Sequence, residues 1–152
     1  RLRWMNVVYE PGELKVVAYD SQGKVAGEKT VRTAGRPHHL ELQVDRSTLI
    51  KTAADKQTTP DLAFVTVRVV DKDGNLCPDA DPQLLFTVEG AAIFRACCNG
   101  DATSLEVFTR PAMGAFHGEL VVVVEAGTEA GTATLKVASR GLKGAETVLK
   151  VK

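Results

Sequence analysis

Acidic residues crowd one short stretch of this chain: Asp71, Asp73, Asn75, Asp79 and Asp81. Alternating oxygen donors of this kind are what a calcium loop uses. The helix–loop–helix calcium pattern also needs glycine at position six and glutamate at position twelve. Counted from Asp71, the glycine is fourth (Gly74) and position twelve is Pro82, so the stretch reads as a solvated turn. His38 and His39 are the next candidates. Neighbours in a strand point to opposite faces, which predicts that the two cannot chelate one ion together. Cys77, Cys97 and Cys98 are an odd number and cannot form a complete disulfide set. The adjacent pair lacks the C-x-x-C spacing of zinc or redox sites, so free thiols packed as small hydrophobes are expected. His117 could activate Cys97 or Cys98, but no third member of a nucleophilic set is in evidence. Asp101 and Glu106 could be read as a carboxylate pair, yet no pocket is implied around them. No catalytic, cofactor-binding or metal-binding residue is assigned, and no cofactor is expected.

The elements that would position these groups read as strands. In Leu62 to Gly90, residues Ala63, Val65, Val67 and Val69 fall on one face and Leu62, Phe64, Thr66, Arg68 and Val70 on the other. Asp71 to Asn75 supplies turn chemistry, with Gly74 free to take positive φ. Leu84, Phe86 and Val88 alternate on the return. Leu40, Leu42 and Val44 mark an earlier strand, and Ala92 to Cys98 another. Leu120 to Val124 is apolar on both faces and should sit centrally. Ala133, Leu135 and Val137 oppose Thr132, Thr134 and Lys136, and Thr147, Leu149 and Val151 close the chain. Asp45 to Pro60 reads as a loop, and Ala102 to Gly118 as a long connection. About seven strands of this kind predict an all-β, immunoglobulin-like sandwich over 37–152, without the Cys–Trp–Cys core of antibody domains.

Residues 1–36 differ. Arg3 to Val7 reads as a strand, and Leu14 to Tyr19 with Lys24 to Thr33 as a hairpin around Asp20-Ser21-Gln22-Gly23. A block this small cannot bury a core alone, so it is expected to be a β-hairpin remnant of an upstream β domain. Gly35-Arg36-Pro37 is the joint. Arg1 is not a natural start, which reads as a piece of a longer protein.

The charge balance is zero, with 19 basic and 19 acidic residues, which argues against nucleic acid as a partner. The longest apolar run, Leu120 to Val124, is too short to span a bilayer as a helix.

Two motifs are familiar. Val65 to Ala80 followed by Phe86-Thr87-Val88-Glu89-Gly90 resembles bacterial immunoglobulin-like domains of the invasin type. Tyr9-Glu10-Pro11-Gly12-Glu13-Leu14-Lys15-Val16-Val17-Ala18-Tyr19, then Thr30 to Pro37, resembles the end of an accessory domain in bacterial glycoside hydrolase family 2 enzymes of the β-galactosidase type. In that family the segment leads into an immunoglobulin-like domain carrying Asp61-Leu62-Ala63-Phe64-Val65, Asn99-Gly100-Asp101, and Ala115-Phe116 with Gly118. Cys97-Cys98, Ser104-Leu105-Glu106 and His117 depart from the usual pattern. The resemblance implies a retaining parent enzyme, periplasmic or secreted, whose two carboxyl groups stand about 5–5.5 Å apart in a barrel upstream. It implies a non-catalytic supporting role here. The partners would be upstream domains of the same enzyme, with a homo-oligomer through the hairpin as a further option. A carbohydrate-binding module and a surface-adhesin spacer are the rivals. Trp4, Tyr9 and Tyr19 all precede Pro37, which leaves the sandwich no Trp or Tyr for sugar stacking. The Tyr9 to Tyr19 segment speaks against the adhesin.

Overall fold

The computed structural model describes residues 3–53 and 59–152, and these divide into two units, Arg1–Ala34 and Gly35–Lys152. In the first, β1 (Glu13–Tyr19) pairs antiparallel with β2 (Val25–Arg32). The Asp20 carboxylate sets the turn by accepting the N–H groups of Gln22 at 2.8 Å and Lys24 at 2.9 Å. Leu14, Val16, Tyr19, Val25 and Val31 stay exposed on the ribbon. The strand expected at Arg3 to Val7 does not form: Asn6 sits at a left-handed φ of 64°, which breaks an extended path.

The second unit contains β3 (His39–Val44), β4 (Thr48–Leu49), β5 (Leu62–Val70), β6 (Gln83–Gly90), β7 (Ala92–Cys98), β8 (Ala112–Gly114), β9 (Glu119–Ala126), β10 (Gly131–Ser139) and β11 (Ala145–Val151). One sheet has the order β3-β5-β9-β7, and the other β4-β11-β10-β6-β8. This is the immunoglobulin-like β-sandwich that the alternation predicts. The inward rows of β5 and β9, Ala63, Val65, Val67 and Val69 with Leu120, Val122 and Val124, are fully or almost fully buried. Leu84, Leu135 and Leu149 meet them from the other sheet. Burial of each such side chain is worth roughly 1.5–3 kcal/mol. Phe86 of one sheet stacks on Phe94 of the other, with ring centroids 6.0 Å apart and planes 11° from parallel. Strand β9 lies inside its sheet, as its two apolar faces require.

Strand β6, the return after the Asp71 turn, lies in the opposite sheet from β5. Two sequence expectations need correction. The stretch 45–60 is not all loop, because β4 pairs in parallel with β11 and Leu49 is fully buried; residues 54–58 lie outside the described residues. The connection 102–118 is interrupted by β8, which pairs with β6 through Gln83, Leu84 and Leu85. Two or three residues are too few to show alternation, so such strands are defined by their partners.

Gly118 is where the two ends of the sandwich loops close on each other. It has φ +76°, its N–H bonds the Ala80 carbonyl at 2.9 Å, and a Cβ there would fall 2.4 Å from the Cys77 carbonyl oxygen. Gly118→Ala therefore combines left-handed strain, of order 1–3 kcal/mol, with a backbone clash. Urea unfolding of the full chain should show its midpoint clearly lowered by this substitution, whereas Gly100→Ala, with open space at its Cβ, should cost only the strain.

Candidate functional site

Asp71 is the one buried charged side chain among the described residues. Its Oδ2 accepts the Gly35 N–H at 2.7 Å, and its Oδ1 accepts the N–H groups of Asp73 and Asn75, each at 2.9 Å. The Asn75 side-chain amide reaches both oxygens, at 3.0 and 3.3 Å. The Asp71 N–H donates to the Asn75 carbonyl, and Gly74 at φ +82° closes the turn. The bond from Gly35, then the one from Asn75, hold this carboxyl well below its ordinary 3.8, against the opposing effect of burial. A carboxylate so enclosed by N–H donors is a turn anchor. Among the described residues, no group of three or more His, Cys, Asp or Glu side chains is placed to hold a metal ion.

Asn99, Gly100 and Asp101 anchor the long connection. The Asn99 amide donates to the Gly114 carbonyl at 2.9 Å, its oxygen accepts the Asp101 N–H at 3.0 Å, and Gly100 takes φ +80°. Asp101 Oδ1 accepts the Thr103 hydroxyl at 2.7 Å and the Thr103 N–H at 2.8 Å, which with His117 nearby lower its pKa. Glu106 accepts the Gly114 N–H at 3.1 and 3.2 Å. Glu106 also lines an open cleft of about 460 Å³ with Gln83, Leu105, Val107, Arg110 and Ala112. Asp101 does not line it. The two carboxylates thus serve different backbone segments.

The thiols separate by strand geometry. All three are free; Cys77 and Cys97 are buried, while Cys98 is exposed because adjacent strand residues point to opposite faces. The expectation that all three pack as hydrophobes fails at Cys98. Burial, then the Glu106 charge, push the Cys97 thiol up to about 11, and it donates to the Arg110 carbonyl at 3.4 Å. His117 is held elsewhere: it faces the Pro78 carbonyl at 3.2 Å and packs on Phe116. Its φ of 52° lies in the left-handed region, where Asn, Asp and His are the enriched non-glycine residues. A histidine is therefore accommodated at this turn. The histidine pair is not arranged as strand neighbours on opposite faces. His38 precedes β3, so strand alternation does not apply, and the two Nδ1 atoms stand 3.0 Å apart.

Residues 40–148 match glycoside hydrolase family 2 C-terminal domain 5, and residues 1–27 match a domain of unknown function (DUF4982). The chain belongs to glycoside hydrolase family 2, as its C-terminal domain 5. It is 45% identical to the β-galactosidase BoGH2A of Bacteroides ovatus over 95% of its own length and 16% of that protein. Among solved structures it is similar to a β-glycosidase from Bacteroides vulgatus, with TM-score 0.86 and 25% identity over 95% of this chain and 18% of that one. A glycosyl hydrolase family 2 member from Bacteroides cellulosilyticus gives TM-score 0.83 and 27% identity over 96% and 18%. The chain spans about a sixth of the length of such relatives, and the domain is part of a larger family 2 enzyme.

Two outcomes follow from these sites. Because Asp71 ionises more readily folded than unfolded, its stabilising effect is complete above the ordinary carboxyl range and is lost as pH falls below 3.8 toward its folded value. Urea midpoints of the full chain should drop over that acid range, and Asp71→Asn should lower the neutral midpoint and flatten the acid slope. Native alkylation followed by mass spectrometry should label Cys98 first, with Cys77 and Cys97 reacting only on unfolding.

Proposed function

We propose that this chain is a non-catalytic accessory segment of a β-galactosidase-type enzyme, and that its sandwich braces the catalytic region. The carrying observation is the use of its carboxylates. Asp101 and Glu106, the best-placed pair in sequence, are each engaged with backbone or hydroxyl donors of their own loops, and only Glu106 lines the cleft. A retaining glycosidase needs two carboxyl groups about 5–5.5 Å apart across one substrate position. The motif residues Asn99, Asp101 and Gly118 find their roles in loop closure instead. The 45% identity to a β-galactosidase supports that class for the parent, over other β-glycosidases of the family.

The purified chain should release no chromophore from a nitrophenyl β-galactoside above the buffer blank. Turnover that disappears in Glu106→Gln would overturn the reading. In the full-length enzyme, removal of residues 35–152 should lower the thermal midpoint.

A further inference from the structure

The two outer faces of the sandwich are unlike. On the β4-β11-β10-β6-β8 sheet, charge crosses the middle: Thr87, Lys136 and Glu146 stand in register, and Lys136 Nζ is 2.8 Å from Glu89. Leu85 and Val148 are exposed on the rows either side, so on this face a charged row separates the apolar side chains. On the β3-β5-β9-β7 sheet the middle is apolar. Register aligns Phe64 with Val123 and Ala96 in one row, and Thr66 with Val121 and Cys98 in the next. Phe64 is 46% exposed and Ile93, one row further, 53%. Ion pairs rim this patch. Arg68 lies between Glu41 and Glu119 at 3.5 and 3.4 Å on one side, and Arg95 meets Glu125 at 3.2 Å on the other. An apolar centre with a self-neutralised polar rim is the anatomy of a protein interface.

Resting on the supporting role above, we propose that this face is where the sandwich docks onto the preceding part of its own enzyme chain. Size and tethering select that occupant over a second copy. Three strands about 4.8 Å apart and three rows about 7 Å apart give a patch of about 300 Å². A free-standing dimer buries roughly 800 Å² per partner. Contacts between domains of one chain begin near 600 Å² in total, which two such patches supply. A tether replaces the missing area, since it holds the partner at an effective concentration in the millimolar range. The tethered body is large, because the chain spans 16% of its β-galactosidase relative. The rim pairs are satisfied within the sheet, so the partner need bring no charge of its own.

Cys98 reports on this face directly. Iodoacetamide should label it in the isolated chain and at least about tenfold more slowly in the full-length enzyme, where the face is covered nine-tenths of the time or more. Phe64→Glu with Val123→Glu should restore labelling in the full-length enzyme, while an unchanged urea midpoint of the same double variant in the isolated chain certifies its fold. Equal labelling of wild-type chain and enzyme overturns the proposal. So does protection that grows with concentration of the isolated chain, which identifies a second copy. If removal of residues 35–152 lowers the enzyme's thermal midpoint while Cys98 stays reactive, the supporting role stands and this face is wrong. If removal changes nothing, the supporting role itself fails.

Discussion

The sandwich depends on one buried negative charge. Asp71 follows β5 directly, and the N–H groups it gathers come from its own turn and from Gly35, thirty-six residues earlier. A carboxylate in this position cannot be left unpaired, because an isolated buried charge is far more costly than any single packing contact. The turn supplies the donors of Asp73 and Asn75 and the entering segment adds that of Gly35, so the carboxylate ties the two together. Beside this anchor Val70 bridges Leu76, and the Gly118 N–H bonds the Ala80 carbonyl at the end of the loop from Cys77. The local chemistry of one side chain thus aligns the start of the domain with the crossing between its two sheets.

How far this is legible in the residues varies by element. Strands β5 and β10 have seven or more alternating positions, and their inward and outward rows can be read before any fold is known; β9, apolar on both faces, announces a central place but not which row turns inward. Strands β4 and β8 exist only because β11 and β6 offer them hydrogen bonds, and nothing local announces them. The turn at Asp71 is announced by Gly74 and Asn75, but the bond from Gly35 is a long-range fact that no spacing rule contains. The meeting of His38 and His39 is missed for a related reason: the apolar pattern begins only at Leu40, so nothing in it shows that His39 lies inside the strand and His38 just outside it.

The family motif residues acquire physical roles in this fold. Asn99 clamps β8 to the end of β7, Asp101 caps the following turn, and Gly118 occupies space that no side chain can enter. None needs a substrate to account for it. What the fold leaves unaccounted for is instead a surface, the apolar rows of Phe64, Val121 and Val123 among ion pairs. A domain whose interior is complete and whose conspicuous residues face outward is better understood as one part of a larger body than as a site.

The parallel pairing of β4 with β11 has a consequence for synthesis on the ribosome. Leu49 emerges early, yet its hydrogen-bonding neighbours are Lys150, Val151 and Lys152. Between the two, about a hundred residues must be translated, which takes several seconds at about 5–20 residues per second. Through that interval Thr48 and Leu49 have no strand to join, and the second sheet lacks its border. The domain cannot lock stepwise as it leaves the exit tunnel. Its completion is held back until the last strand is free, so a nascent chain stalled before Lys150 carries an open sheet edge for as long as it waits.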